Sequence, residues 1–343
     1  TMRLSKEVQP DVGVIMRLAY MYFSQCRWKE AYYYYRYREL KEFNCRELMG
    51  VMRFLDLWDG AKECQKLLLV DEQGVGDKVR SAFFVAHLKD SIDEIYQVTD
   101  SRLAALFERS FKGVSVIVQD ECPPQRAVIE YGIKTISSSV DLGQFYYQKL
   151  NDAANFDDLT VEKTKGYLIA DKRKVSSWRS KLDRRHNVMN IGVCWRGPVE
   201  MPGRASWYAT IEDLNKVFRG LAENINFVCL QYEPTELEIE AVHVAEYSSV
   251  LMPDLDLKDD FDGVASLVVN LDLVISPATA LCELAGALGV PVWLFATKDR
   301  KKWNLDGGYM RGFYPNLSIL FSNEPWNDVV RTMNNRLKEL IEV

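Results

Sequence analysis

The sequence predicts an α/β protein: two parallel-sheet halves behind a helical N-terminal segment. Three observations carry this. From Lys66 onward, short apolar strands alternate with helical stretches, the texture of a parallel sheet with covering helices. A second such series opens at Met189–Trp195 with the run NIGVCW. Ahead of both, no Gly or Pro interrupts Val14 to Asn44, and apolar residues recur at helical spacing.

Taken in order, residues 11 to 58 read as helical throughout. Leu18, Ala19, Tyr22, Trp28, Ala31, Tyr35 and Leu40 match the paired-helix tetratricopeptide pattern. Cys26 replaces its usual small residue, and Arg38 stands where an alanine is expected. A further helix is expected over Cys45–Leu57. One repeat cannot bury its faces alone, so it packs on the next domain or belongs to a longer array. An ordinary helical hairpin fits the same residues.

Strands are expected at Lys66–Val70, Glu94–Val98, Val114–Val118 and Thr135–Ile136, with a helix over Lys78–Leu88. A charged helix is expected over 171–185, where seven residues are Lys or Arg. Asp171 and Asp183 are interspersed, which favours a solvated face over a phosphate or membrane patch. In the second half, strands are expected at Met189–Trp195 and Asn226–Gln231, and a helix near Glu236–Val242. Leu273–Ala296 carries one charge, Glu283, in 24 residues. Pro277, Gly286, Gly289 and Pro291 punctuate it. It therefore reads as strand 271–276, helix 278–288 and strand 290–296, not as a transmembrane helix. Residues 325–343 read as a terminal amphipathic helix. The expected division is 1–60 helical, 61–185 first α/β half and 186–343 second half. A ligand cleft is expected at the strand C-terminal ends.

Composition narrows the function. The 343 residues are 48% hydrophobic, enough for real cores. There are 43 Lys and Arg against 49 Asp and Glu, a net charge of −6, which argues against sequence-blind nucleic-acid binding. Seven cysteines form no CxxC pair, and His87, His186 and His243 lack metal-ligand spacing. The expectation is a reduced, cytoplasmic protein with no metal site. The polar start TMRLSKEVQP is no signal peptide.

Several residues carry chemistry. Asp77 closes a Gly-x-Gly-Asp turn after the first strand, where Gly74 and Gly76 allow close backbone approach. Asp77 is equally well read as a general base or as a helix N-cap. The GxGxxG fingerprint is absent, so NAD is not implied. Ser276-Pro277-Ala278-Thr279 precedes a Gly/Ala-rich helix, and the free N–H groups from Thr279 and Ala280 onward would seat a diphosphate. Ser276 as a cap with Pro277 at the first helical position is the plainer alternative. Glu283, one turn on, either meets a ligand hydroxyl or pairs with a cation. Arg196, just after Trp195, and Arg204 suit bidentate phosphate contacts, although exposed loop arginines are common. Gln231 and Tyr232, at the end of the next strand, are placed for a nucleobase or ribose. Asp254-Leu255-Asp256 and Asp260-Phe261-Asp262 read as solvated loop or a nucleoside contact, not as metal ligands.

In series, EQGVGDKVRSAFF, NIGVCWRGP, GRAS, FVCLQY, DDFDGVASLVVNLDLVISPATALCELAGALGVPVWLF and KKWNLDGGYMRGFYPNLSILF resemble the heptosyltransferase-type glycosyltransferases, family nine. The resemblance spans about residues 12 to 340, and in particular the chain resembles bacterial members that join tetratricopeptide repeats to such a domain. It implies the glycosyltransferase-B architecture, two Rossmann-like halves with the nucleotide-sugar donor held mainly by the C-terminal one. It implies inverting transfer without a metal or cofactor. Asp77 then matches the catalytic base, Arg196 and Arg204 the loop reaching the donor phosphates, and Ser276–Leu281 the diphosphate site. The family's Asp-Thr-x-x-x-His becomes Ala278, Thr279 and Glu283 here. The Ser-Pro variant is similar to repeat-linked members proposed to glycosylate flagellin or other surface components. The implied partners are a nucleotide-sugar and a glycan, lipopolysaccharide or protein acceptor, with a protein partner on the repeat. A catalytically degenerate scaffold is the rival reading. An epimerase of the same architecture would need further acid and base groups in the cleft.

Overall fold

The computed structural model describes residues 11–25, 27–40, 55–60, 64–149, 166–182, 185, 187–197, 208–295, 313–314, 316–320 and 326–341. It divides into two compact units. The first comprises Thr1–Gly74, Ser81–Asp100 and Gly113–Leu159. The second comprises Val75–Arg80, Ser101–Lys112 and Thr160–Val343.

The first unit is built on a parallel sheet of strands β1 (Asp56–Leu57), β2 (Lys66–Val70), β3 (Glu94–Thr99), β4 (Val114–Val118) and β5 (Thr135–Ser138), in the order β1-β5-β2-β3-β4. Leu67 to Val70 are all buried, the near-continuous apolar run of a strand covered on both faces. One face packs Leu68, Val70, Val98, Ile117 and Ile136 over Ala127 of helix α5 (Pro124–Tyr131). Helix α3 (Val75–Leu88) follows β2 and helix α6 (Leu142–Lys149) follows β5. The order reverses at β2, whose neighbours are β5 and β3. Loops at the C-terminal end of such a strand are where open α/β sheets take ligands.

Helices α1 (Val12–Ser24) and α2 (Trp28–Tyr35) pair, and Asp11 caps α1 by accepting from Gly13 N at 2.7 Å. The pair is joined to the sheet by aromatic packing. Trp28 and Tyr32 both stack on Tyr147 of α6, at 5.7 and 5.6 Å between ring centroids, and Tyr32 meets Phe84 edge-on at 5.3 Å. A short 3₁₀ turn, Arg36–Leu40, follows. The expected helix over Cys45–Leu57 is corrected at its end. Residues 45–54 lie outside the described residues, but Asp56 and Leu57 form β1, laddered to Thr135 and Ile136. The ladder supplies backbone partners that an isolated helix end would lack.

The second unit has a parallel sheet of β6 (Met189–Val193), β7 (Ile225–Cys229), β8 (Ser249–Leu251), β9 (Leu273–Ser276), β10 (Val292–Phe295) and β11 (Leu317–Leu320), in the order β11-β10-β9-β6-β7-β8. Its order reverses at β6, so the loops after β6, β7 and β9 are the ligand-facing ones. Helices α4 (Ser101–Ser110), α7 (Lys172–Arg179), α8 (Ile211–Val217), α9 (Glu236–Val244), α10 (Phe261–Val268), α11 (Ala280–Ala287) and α12 (Trp326–Ile341) cover this unit. Helix α12 buries Val329, Val330, Met333 and Leu337 in the core with Ile191, Phe218, Phe227, Ile275 and Phe295.

The basic stretch at 171–185 contains the eight-residue helix α7, capped by Asp171 through Arg173 N and Lys174 N. Lys174 reaches Asp262 at 3.0 Å, and Arg109 of α4 pairs with the same carboxylate. These cations are turned to the acidic first turn of α10.

Candidate functional site

Asp77 is the third residue of α3, so it lies in the first turn, not at the N-cap. A carboxylate there is favoured by the helix dipole. The loop that delivers it, Asp71–Gly74, follows the switch strand β2, and Gln73 in it holds φ of +66°. The first turn of α3 packs on the first turn of α11. A Cβ on Gly76 would stand 3.2 Å from Ala280 Cα and 3.3 Å from Glu283 Cγ, so any side chain there would have to push the α11 turn back by a few tenths of an ångström.

Around that contact lies a buried polar cluster. Arg80, one turn past Asp77, donates from Nε to Glu283 Oε2 at 3.2 Å and from Nη2 to Glu283 Oε1. Its Nη1 reaches Asp77 Oδ1 at 3.3 Å. The Tyr314 hydroxyl donates to Glu283 Oε2 at 2.5 Å, and its ring lies against Gly286, where a Cβ would come within 2.5 Å. Tyr167 lies 3.5 Å from Tyr314 between hydroxyls and donates to Val79 O at 2.9 Å. Burial pushes the Glu283 carboxyl up, against the opposing pull of Arg80 and Tyr314. Of the two expectations for Glu283, the cation is the partner observed.

Thr279, not Ser276, is the N-cap of α11, and it gives the helix no side-chain hydrogen bond. Its hydroxyl meets Ser276 Oγ at 3.1 Å, and Ser276 donates to Pro277 O at 2.8 Å. Pro277 therefore precedes the helix instead of opening it. Ser276 and Pro277 are buried, whereas Thr279 and Ala280 are partly accessible.

The loops after β6 and β7 are clasped together. Gln231, fully buried, accepts from Trp195 N at 3.2 Å and Arg196 N at 3.0 Å, and donates to Tyr232 O at 3.0 Å. Glu238 of α9 accepts from Trp195 Nε1 at 2.6 Å and from Arg196 Nε and Nη2 at 2.8 Å each. It also closes a capping box with Thr235. Burial pushes its carboxyl up, but the hydrogen bonds from Arg196, Thr235 N and Trp195 outweigh it and bring it down to about 2. Glu238 thus stabilises the folded state fully above about pH 4.5, and this is lost as pH falls through about 2. Glu238→Gln is expected to cost about 1.5–3 kcal/mol at pH 7, with the gap to wild type closing toward pH 3. Melting curves at both pH values check this, and parallel curves would rule it out.

Tyr232 lines a cleft of about 400 Å³ past the ends of β7 and β8, with Pro234, Met252, Leu255, Asp256 and Asp259 among its walls. The acidic motifs have structural work there. Asp256 accepts from Lys258 N and Asp259 N, and Asp260 caps α10 through Gly263 N. Among the described residues, no three His, Cys, Asp or Glu side chains gather as a metal-ligand set. Among them, too, no helix is long and apolar enough to cross a membrane.

The second unit therefore holds Asp77 with Gly76, Ser276, Pro277, Thr279, Ala280 and Glu283 around the start of α11. Trp195, Arg196, Gln231 and Tyr232 form a neighbouring group of the same unit. Gly74 is exposed in the loop before α3, and Arg204 lies outside the described residues. Sequence reading missed Arg80, Tyr167, Tyr314 and Glu238. For Arg80 a signal exists: it stands three residues after Asp77, on the same helix face.

No protein-family model matches the sequence. A curated relative, Protein FlbA of Caulobacter vibrioides, is 25% identical over 271 residues, 76% of this chain and 44% of that protein. The chain thus spans less than half of that relative's length. A family 9 glycosyltransferase structure from Veillonella parvula superposes with a TM-score of 0.51 at 11% identity, covering 78% of this chain and 89% of that one. The ADP-heptose lipopolysaccharide heptosyltransferase II of E. coli gives 0.51 at 11%, covering 81% and 98%. The E. coli heptosyltransferase WaaC with ADP gives 0.51 at 13%, covering 81% and 99%. At these identities the likeness is one of architecture: two parallel α/β sheets in the glycosyltransferase-B fold.

Proposed function

We propose that the protein is an inverting, metal-independent glycosyltransferase. It moves a sugar from a nucleotide-sugar to a hydroxyl of a surface glycan, lipopolysaccharide or protein. In this reading Asp77 takes the proton of the acceptor hydroxyl as its oxygen attacks the anomeric carbon. The bond to the nucleotide phosphate breaks, and the leaving group is received by the N-terminus of α11, Thr279 and Arg204. The cleft beside Tyr232 takes the nucleoside. The observation that carries the reading is the packing of Asp77's helical turn on the first turn of α11, with Gly76 against Ala280. The Asp77 carboxylate and the N-terminus of α11 belong to one compact unit, which supports the reading.

A degenerate, partner-binding scaffold is the second reading. It is favoured by the internal commitments of Gln231, Arg196 and Glu283, which are bonded to protein groups. A thermal-shift screen against nucleotides and nucleotide-sugars separates the two. A donor at a hundred times its Kd is expected to add about 2.7 kcal/mol of stability. No stabilisation by any of them would favour the scaffold. Once a donor is found, turnover is expected to survive EDTA; loss restored by magnesium or manganese would overturn the metal-free step.

A further inference from the structure

Arg38 stands where the tetratricopeptide pattern has an alanine, and it is 1% exposed. A buried guanidinium needs several partners to offset its desolvation. It has them at the ends of the switch strand and of its neighbour β5. Nε donates to Glu72 Oε2 at 3.1 Å, and Nη2 donates to Glu72 Oε1 and to Ser138 Oγ. Nη1 reaches Asp141 Oδ1 at 2.7 Å and Tyr35 O at 3.1 Å. Glu72 follows β2, while Ser138 ends β5 and Asp141 follows it. Arg38 therefore ties together the C-terminal ends of two adjacent strands.

Next to it, Gln73 Nε2 donates to the Tyr35 hydroxyl at 3.2 Å. Gln73 is the residue at φ +66°. A glutamine in the left-handed region is uncommon and persists where its surroundings over-determine it. Tyr35 and Arg38 supply that constraint, and the chain passes from Gln73 through Gly74 directly into the helix that bears Asp77.

We propose that the N-terminal helical hairpin is a positioning element for the base loop, with Arg38 and Tyr35 pinning Glu72 and Gln73. This rests on the reading of Asp77 as the base. It assigns the hairpin a role inside the transferase in place of a tethered partner-binding module.

Arg38→Met risks unfolding, so the test uses Tyr35→Phe, which keeps the ring packing and removes only the hydroxyl. Losing that hydrogen bond is expected to speed hydrogen exchange of the 73–78 amides about five- to tenfold. Exchange in the remote helix Trp326–Ile341 stays unchanged. With a donor from a panel of UDP-, GDP-, ADP- and CMP-sugars, kcat falls by a similar factor while donor KM holds. Adding Gln73→Asn, which tolerates positive φ better, recovers part of kcat. Wild-type exchange over 73–78 in Tyr35→Phe would overturn the proposal, as would faster exchange with unchanged kcat. If the wild-type protein turns over none of the panel, the transferase reading falls. The exchange measurement then still decides whether the hairpin holds the loop.

Discussion

Asp77→Asn is expected to leave the protein folded and to slow sugar transfer by roughly 10²–10⁴-fold. The amide keeps the size of the side chain but accepts no proton from an acceptor hydroxyl. Its structural cost is bounded by what the carboxylate does. In the first turn of α3 it gains from the helix dipole, about 0.3–1 kcal/mol for such a position. Its ion pair with Arg80 at 3.3 Å involves a side chain one-third exposed, and such pairs are worth about 0–1 kcal/mol. Both terms are small beside a catalytic loss of that size. Donor binding should persist, because the groups proposed to hold the donor lie on other elements. Turnover and melting temperature of the same variant decide the matter. Near-wild-type turnover would remove Asp77 as the base. A joint collapse of turnover and melting temperature would make it a structural residue.

Lys66–Val70, buried on both faces, was legible because such a strand needs an unbroken apolar run, and Val114–Val118, an edge strand, because its valines and isoleucine are interrupted only by the exposed Ser115; both appear with their expected bounds. Ile225–Cys229 starts one residue before the expected run and ends two earlier. Ser249–Leu251 and Leu317–Leu320 escaped notice. Both are short edge strands, the former only half-buried, and their apolar runs, Val250–Met252 and Ile319–Phe321, are only three residues long. Glycine, proline and hydroxyl punctuation located the helices after β2 and β9 but not their first residues: α3 starts at Val75, three residues before the expected Lys78, and α11 at Ala280, two residues after the expected 278. The charge partners were not legible. Arg38's carboxylates lie 34 and 103 residues away, and Glu283, the buried partner of Arg80, lies 203 away. Periodicity reports only which face of an element is apolar. An arginine on a mostly polar face reads as solvated until another element is packed over it.

Arg80→Met is expected to destabilise the protein by about 3–5 kcal/mol near pH 8, the cost of leaving a buried carboxylate without its cation. Glu283 is 5% exposed, and with Arg80 gone the Tyr314 hydroxyl is the hydrogen bond that remains from the cluster. One such bond cannot hold an ionised carboxylate in so apolar a helix, so the folded state will favour the protonated form. The sign of the pH dependence follows. Burial already pushes Glu283 up in the wild-type protein, and removing Arg80 takes away the main opposing pull. A carboxyl with a folded pKa above its unfolded value of about 4.3 loses stability as pH rises from that value through the folded one. The deficit of Arg80→Met should therefore be small at pH 4–5 and grow toward pH 8. Adding Glu283→Gln removes the charge while its amide oxygen still accepts from Tyr314. The double variant should regain most of the loss and show a flatter pH profile than Arg80→Met alone. Melting temperatures of the four proteins at pH 5 and pH 8 give the double-mutant cycle. A deficit that is equal at both pH values, or that simply adds in the double variant, would mean that Arg80 acts through packing and that Glu283 is not its dependent charge.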